Sequence, residues 1–309
     1  MSKPLISVVS PVYQAASIIP LLVKKIKENC KKITEEFEVI LVEDGSTDTS
    51  WTVIEEQCTL DKRVKGVKLS KNFGQHYAIT AGLDQSRGLW VVVMDCDLQD
   101  KPSEIQKLYN KALEGFDIVL GRRELRKDTT GKKLFSSLFY KTLGYLTGTK
   151  QDSAIANFGI YNEKVVAAIC SMREPIRYFP TMVKWVGFKR IAISIDHDVR
   201  ESGKTTYNFR KLSKLALDII LANSDKPIKL TIKLGFGVAF IAFIFGLITL
   251  YKYFRGEITV LGYTSLLISI WFLAGLILMV LGVIGLYIGK TFEGVKDRPI
   301  YIIEKKVND

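Results

Sequence analysis

Histidine and cysteine are scarce in this sequence, with two histidines and four cysteines among 309 residues. Their positions are scattered: His76, His197, Cys30, Cys58, Cys96 and Cys170. Because no short spacing typical of a zinc site is present, these side chains are predicted to pack in the fold. The sequence also shows no P-loop, internal repeat or low-complexity tract. The first residues lead almost at once into a strand pattern, so no cleavable signal sequence is expected.

Acidic residues are fewer than basic ones, 32 against 44, which gives a net charge of +12. Such an excess could indicate a nucleic-acid partner, but no recognised nucleic-acid-binding motif accompanies it. The basic residues instead crowd near two apolar segments late in the chain. We therefore predict no nucleic-acid partner and an anionic membrane surface in its place.

Charge is missing altogether from residues 234–251 and 262–289. Each run is near the roughly 20 residues needed to cross a bilayer. Two buried core helices are the alternative, but the apolar residues face all directions and leave no polar face for water. The sequence therefore predicts five segments: a catalytic domain at 1–207, an amphipathic interfacial segment at 208–230, transmembrane helices at 231–253 and 262–289, and a cytoplasmic tail at 290–309.

The charges that flank the two spans predict their orientation. Lysines and arginines precede the first span and follow the second, whereas only Lys252 and Arg255 lie between them. The positive-inside rule then places both termini and the catalytic domain in the cytoplasm of a multi-pass protein of the inner (plasma) membrane. Residues 208–221 read as an amphipathic helix that lies in the membrane interface, with an ordinary surface helix as the alternative.

Three strand patterns end in loops rich in acids or turn residues. The β-branched run at 6–12 contains Pro11, the run at 37–42 continues into Glu43-Asp44-Gly45-Ser46-Thr47-Asp48, and the run at 89–93 continues into Met94-Asp95-Cys96-Asp97. Helical patterns separate them, which predicts an α/β fold with a mostly parallel sheet. Because ligands in such sheets bind outside the carboxyl ends of the strands, these loops are expected to converge on one site.

Asp95 and Asp97 are two residues apart at the end of an apolar strand. Carboxylates so placed can hold Mg²⁺ or Mn²⁺ while nucleotide phosphates and water complete the shell. A solvated turn is the alternative for an isolated pattern of this kind. Its neighbours favour the metal, and they also place Asp44 where it can accept a hydrogen bond from a nucleobase.

These motifs resemble glycosyltransferase family 2, and within it the polyprenyl-phosphate glycosyltransferases. The matching segments are PVY at 11–13, EDGSTD at 43–48, SKNFGQ at 70–75, AGLD at 81–84, MDCDLQD at 94–100 and GRR at 121–123. Their order and spacing make chance agreement improbable. The resemblance implies a GT-A nucleotide-sugar-binding fold followed by an interfacial helix and two transmembrane helices.

The resemblance also implies roles for individual residues. Donor-site residues are Pro11, Tyr13, Glu43, Asp44, Ser70, Lys71, Asp95, Arg122 and Arg123. Metal ligands are Asp95, Asp97 and Gln99, and contacts to an acceptor phosphate are Arg200, Ser202, Lys204 and Tyr207. Catalytic positions are Asp97, Asp152 and Asn157.

The implied reaction is inverting transfer of a hexose from a nucleotide sugar, with UDP-sugar favoured, to undecaprenyl phosphate or another polyprenyl phosphate. Mg²⁺ or Mn²⁺ is the implied cofactor, and the spans offer surfaces for a homo-oligomer. Two departures affect the site. Gln14-Ala15-Ala16 replaces the family's Asn-Glu-Glu, and in the segment 152–159 either Asp152 or Asn157 occupies the family's base position.

Two alternatives remain for function. One is a membrane-bound family 2 transferase that uses a sugar hydroxyl as acceptor, and such an enzyme would need a strong base near Asp152. The other is a non-catalytic membrane scaffold, which would be expected to have lost the metal-binding acids. Asp95 and Asp97 are both present, so the enzyme is favoured.

Overall fold

The computed structural model describes residues 3–123, 155–196, 226–256 and 262–309. The chain forms two compact units. The first contains the described residues up to 196 together with 298–309, and the second contains the two long helices between them. The last twelve residues, which the sequence places in a tail separate from the catalytic domain, belong to the first unit.

The first unit is built on one eight-stranded sheet. Its strands are β1 (Ile6–Val12), β2 (Phe37–Glu43), β3 (Val64–Leu69), β4 (Trp90–Val93), β5 (Ile118–Arg123), β6 (Ile155–Asn162), β7 (Arg190–Ile195) and β8 (Ile303–Val307). They lie in the order β7-β5-β6-β4-β1-β2-β3-β8. Among the described strands, only β6 and β8 run antiparallel to their neighbours. The predicted mostly parallel sheet is confirmed.

Every residue of β1 and β2 is buried. Strands covered on both faces have this continuous apolar pattern. The first unit also contains helices α1 (Ile19–Cys30), α2 (Ser50–Leu60), α3 (Gln75–Gln85), α4 (Ile105–Ala112), α5 (Glu163–Ser171) and α6 (Phe179–Trp185), with a short 3-10 turn at Pro102–Glu104.

The helices divide between two hydrophobic cores. One core contains side chains of α1, α2 and α4, and the other contains side chains of α3, α5 and α6. Alternate residues of β1 enter different cores, as Val8 and Val9 do, because successive side chains of a strand point to opposite faces. The chain thus changes sides of the sheet between α2 and α3, and the carboxyl ends of β1 and β4 meet at that switch point.

The second unit consists of helices α7 (Lys226–Phe254) and α8 (Tyr263–Val295). The predicted span 231–253 lies within α7, and all of the predicted span 262–289 except Gly262 lies within α8. Among the described residues, one helical segment, Phe272–Phe292, is long and apolar enough to cross a membrane, with a mean hydropathy of 2.5 and no part of it buried. Two membrane crossings stay a prediction.

Strand β8 follows α8 in the chain and pairs with β3 at the edge of the sheet. Its sequence, IEKKV, is short and charged, so it gives little strand signal. Charged residues are common on edge strands because they discourage pairing with another chain.

Candidate functional site

The ends of β1, β2 and β4 lie side by side. Val12 pairs with Glu43, the Asp44 amide donates to the Val12 carbonyl at 3.0 Å, and the Met94 amide donates to the Val9 carbonyl at 3.1 Å. The loops that leave these strands therefore start from one edge of the sheet. The expected convergence of the PVY, EDGSTD and MDCDLQD segments is present in the structure.

Asp44 is almost completely buried, with 3% of its surface exposed. Its two carboxylate oxygens accept hydrogen bonds from the backbone amides of Phe73 at 2.8 Å and Gly74 at 2.9 Å. Burial raises the pKa of Asp44 to about 6, although these two amides oppose the change. Asp44 thus anchors the loop between β3 and α3, and its contact with a nucleobase stays a prediction.

Gly45 allows this loop to approach the EDGSTD turn. Its φ is +65°, and a Cβ atom at this position would lie 2.2 Å from the Asn72 nitrogen and 2.4 Å from the Lys71 carbonyl carbon. Backbone atoms cannot yield as the end of a flexible side chain can. Only glycine fits both the backbone angle and the space.

Glu43 is also buried, with 1% of its surface exposed. Its Oε1 accepts from the Ser46 amide. Its Oε2 has no hydrogen-bond partner within the part of the chain that the structure describes. A buried polar atom without a partner is costly, at about 1–3 kcal/mol. This oxygen at the end of β2 is therefore suited to accept a hydrogen bond from a ligand.

Asp95 and Asp97 lie in the loop after β4 and are half-buried. The Gln75 side-chain amide donates to Asp95 Oδ1 at 2.7 Å, and the Gln99 backbone amide donates to Asp97 Oδ1 at 3.2 Å. Between them, burial raises the pKa of Cys96 to about 12, so its thiol stays protonated at neutral pH. The donors at this loop are thus hard carboxylate oxygens.

These donors fit Mg²⁺ or Mn²⁺. No group of three or more His, Cys, Asp or Glu side chains able to hold a metal occurs among the residues described. Magnesium is commonly held by one or two carboxylates, with phosphate oxygens and water in the other positions. Asp95 and Asp97 would hold the ion only together with a phosphate-bearing ligand.

The Gln14-Ala15-Ala16 departure has a structural role. The Gln14 amide donates to Ser46 Oγ at 3.0 Å, the Ala15 amide donates to Ser50 Oγ at 3.0 Å, and the Ala16 amide donates to Asp48 Oδ2 at 3.3 Å. Gln14 adopts a positive φ of 50°. The loop after β1 is therefore fastened to the EDGSTD turn by its backbone, next to the exposed Tyr13.

Asn157 is half-buried on β6. That strand runs antiparallel to β4, with Gly159 paired to Val93. Because β6 begins at the edge where β4 ends, Asn157 lies on the same edge as the acidic loop. Which of Asn157 and Asp152 occupies the family's base position stays a prediction, since Asp152 lies outside the described residues.

The remaining predicted residues lie on several elements. Pro11 is buried, Ser70 and Lys71 are exposed on the loop after β3, and Arg122 is exposed near the end of β5. Arg123 ends that strand. The predicted acceptor-phosphate residues all lie outside the described residues: Arg200, Ser202, Lys204 and Tyr207.

Sequence reasoning missed Gln75 as a site residue. Within the SKNFGQ segment only Ser70 and Lys71 have predicted roles, since the uncharged amide of Gln75 carries no obvious chemistry. The available signal was its position as the first residue of a helix that follows a strand in this sheet. Such a residue faces the ligand edge.

Comparison with known proteins agrees with this geometry. A family model described as Glycosyl transferase family 2 matches residues 7–169. The glycosyltransferase YkcC of Bacillus subtilis, named as uncharacterized, is 36% identical over 300 residues, covering 97% of this chain and 93% of that one. The undecaprenyl-phosphate 4-deoxy-4-formamido-L-arabinose transferase of Proteus mirabilis is 32% identical, covering 98% and 94%.

A solved structure shares the fold. Glucosyl-3-phosphoglycerate synthase from Mycobacterium tuberculosis, in complex with Mn²⁺, UDP-glucose and phosphoglyceric acid, matches with a TM-score of 0.51 at 13% identity, covering 71% of this chain and 78% of that one. The fold and site define a GT-A-like α/β glycosyltransferase. The chain belongs to glycosyltransferase family 2, and its homologues include polyprenyl-phosphate glycosyltransferases.

Proposed function

We propose that this glycosyltransferase transfers a sugar from a nucleotide sugar, with UDP-sugar favoured, to a polyprenyl phosphate, with inversion at the anomeric carbon. The observation that carries the proposal is the pair Asp95 and Asp97, each held by an amide at the ligand edge of the sheet. Relatives that align over nearly the whole chain are named as undecaprenyl-phosphate sugar transferases, which supports this acceptor class.

In this proposal the donor diphosphate binds next to the acidic loop. A bound Mg²⁺ or Mn²⁺ would supply Lewis-acid stabilisation of the leaving diphosphate. The chain's own contribution is to hold the acids in place, through Gln75 for Asp95 and the Gln99 amide for Asp97. The buried Glu43 Oε2 offers an acceptor for a donor hydroxyl or base N–H.

The acceptor phosphate oxygen attacks the anomeric carbon from the face opposite the leaving group. A carbon–oxygen bond to the lipid phosphate forms as the bond to the nucleoside diphosphate breaks. Because a phosphate monoester has a second pKa of about 6, the nucleophile is mostly ionised at neutral pH. No proton has to be removed, so the amide of Asn157 is tolerable at the family's base position.

The membrane placement is part of the same proposal. The apolar segment Phe272–Phe292 supports a membrane anchor, and the lysines and arginines that precede the uncharged run 234–251 and follow the uncharged run 262–289 favour a cytoplasmic catalytic unit. Arg200, Ser202, Lys204 and Tyr207 are proposed to bind the acceptor phosphate, since cations and hydroxyls suit a phosphate headgroup.

The test uses membranes that contain the full-length protein, incubated with a panel of labelled nucleotide sugars and divalent metal. We expect one donor to give a labelled product that partitions into organic solvent and releases its sugar in mild acid. Label in a glycan or glycolipid through a sugar hydroxyl would support the alternative acceptor. No product from any donor would support a scaffold and contradict the proposal.

A pair of variants connects activity to the acidic loop. Asp97→Ala should abolish turnover, and excess chelator should do the same to the wild type. Glu114→Ala is the matched control, because it also removes one carboxylate but lies in the turn after α4, where Glu114 pairs with Lys111 at 2.7 Å. Full activity of Asp97→Ala, or of the wild type in chelator, would contradict a metal-dependent mechanism.

A further inference from the structure

The segment from Tyr301 to Val307 contacts the start of the loop that organises the candidate site and the far end of the helix that follows this loop. Strand β8 pairs with β3, and the ladder continues one step further, where the Ser70 amide donates to the Ile302 carbonyl at 3.0 Å. Ser70 is the first residue of the loop between β3 and α3. The start of this loop is thus held by the C-terminal segment.

The other end of the loop leads into α3, which the same segment also holds. The Tyr301 hydroxyl donates to Asp84 near the end of this helix. Arg173 binds the same carboxylate through two nitrogens, at 2.8 and 2.9 Å. Burial, followed by the bond to Asp84, raises the pKa of Tyr301 above its ordinary value, so the hydroxyl remains a donor at any physiological pH.

Between these two anchors lie the groups that hold the site acids. The amides of Phe73 and Gly74 bind Asp44, and Gln75 binds Asp95. The Phe73 ring packs against the same hydrophobic core as Tyr301. A shift of α3 or of the loop would therefore move the partners of both acids together.

We propose that Tyr301 is a positioning residue of the donor site: by fixing α3 through Asp84, it keeps the loop at 70–75 in the place where it holds Asp44 and Asp95. This inference rests on the proposed function for its activity readout. Its structural readout is independent of that function.

The competing explanation is that the C-terminal segment only covers the edge of β3. An edge cover protects against aggregation and adds stability, but it does not act through the loop at 70–75. Lys305 provides the comparison, because it lies in the same C-terminal segment as Tyr301 and forms an ion pair with Glu55 of α2 at 2.6 Å. That ion pair joins β8 to α2 and belongs to the covering of the sheet edge.

The experiment compares Tyr301→Phe with Lys305→Gln in the full-length protein in detergent. Hydrogen exchange is followed in peptides covering residues 70–75, and binding of UDP and GDP is measured in the presence of Mn²⁺. Tyr301→Phe keeps the ring and removes one hydrogen bond to a carboxylate. We expect faster exchange of the loop and about 3–10-fold weaker nucleotide binding.

The kinetic signature is a rise in KM for the donor by a similar factor, with KM for the lipid acceptor unchanged and kcat within about twofold. Lys305→Gln should match the wild type in loop exchange and in nucleotide binding. Equal loop exchange and equal nucleotide affinity in the two variants would overturn the inference.

The two proposals can fail separately. If the wild type binds neither nucleotide, the proposed function fails, and loop exchange alone decides the role of Tyr301. If the wild type binds UDP or GDP but Tyr301→Phe binds it equally well with an unchanged loop, the positioning role fails while the proposed function stands.

Discussion

Replacing Asp44 by asparagine tests whether a buried negative charge is held at the candidate site at a cost in stability. The pKa of Asp44 is raised from its ordinary value of 3.8 to about 6, mainly by burial. A difference of about two in pKa between the folded and unfolded states corresponds to about 3 kcal/mol. Because the folded protein holds this proton more tightly, the stability contributed by Asp44 falls as pH rises from about 4 to about 6.

In Asp44→Asn the gain in stability from removing the buried charge is opposed by the loss of a hydrogen bond. Of the roughly 3 kcal/mol that Asp44 contributes to stability at low pH, about 2 kcal/mol is lost as pH rises from 4 to 7. Asparagine has no charge to bury, but its single carbonyl oxygen can accept from only one of the two amides that Asp44 binds. Loss of the second bond costs about 1–3 kcal/mol at every pH. The variant should therefore be clearly less stable at pH 4 and close to the wild type at pH 7.

The assay is thermal unfolding of the full-length protein in detergent at pH 4, 5, 6 and 7. The difference in Tm between wild type and Asp44→Asn should shrink by about 4–8 °C over this range. Asp61→Asn is the matched control. The pKa of Asp61 is lowered, mainly by the hydrogen bond from Arg63. The stability that Asp61 contributes is therefore lost only as pH falls below the ordinary pKa of an aspartate.

The control should give a nearly constant difference in Tm between pH 4 and pH 7. A constant difference for Asp44→Asn as well would refute the reasoning, because the buried carboxylate would then titrate as it does in the unfolded chain. A difference that grows as pH rises would refute it more strongly, since it would reverse the sign of the linkage.

Three further outcomes are expected. Gly45→Ala should lower Tm by several degrees and raise the donor KM at least tenfold, because the new Cβ would lie 2.2 Å from the Asn72 nitrogen; wild-type kinetics in this variant would show that the loop is free to shift. Arg200→Ala and Lys204→Ala should raise KM for the lipid phosphate more than KM for the donor, and unchanged acceptor kinetics in both would remove these contacts. Asp152→Asn should retain measurable product formation, because the acceptor ionises by itself; complete loss of turnover in a folded variant would require a side-chain base.

Much of the sheet could be predicted from the sequence. The strands at Ile6–Val12, Phe37–Glu43 and Trp90–Val93 are mostly apolar, as burial on both faces of a sheet requires. The order of strand, acidic loop and helix then indicates a ligand edge. The family follows from local motifs, since each one is a short segment with its own chemistry.

The partners of the site acids could not be predicted in the same way. The chemistry of Asp44 predicts a hydrogen bond to a nucleobase, and the structure adds two contacts that the sequence does not indicate, from the amides of Phe73 and Gly74. These residues are about 30 positions away in the chain. Nothing in the local pattern of either segment shows the contact.

By itself the sequence determined the class of fold, the family and the place of the acidic pair Asp95 and Asp97, because these depend on local composition and on the order of elements. Only the tertiary structure decided that Glu43 keeps a buried oxygen for which the described residues offer no partner, that Gln75 holds Asp95, and that Tyr301 reaches Asp84. Contacts of this kind depend on which segments the sheet brings side by side. A charged edge strand such as Ile303–Val307 has no apolar pattern from which its pairing could be predicted.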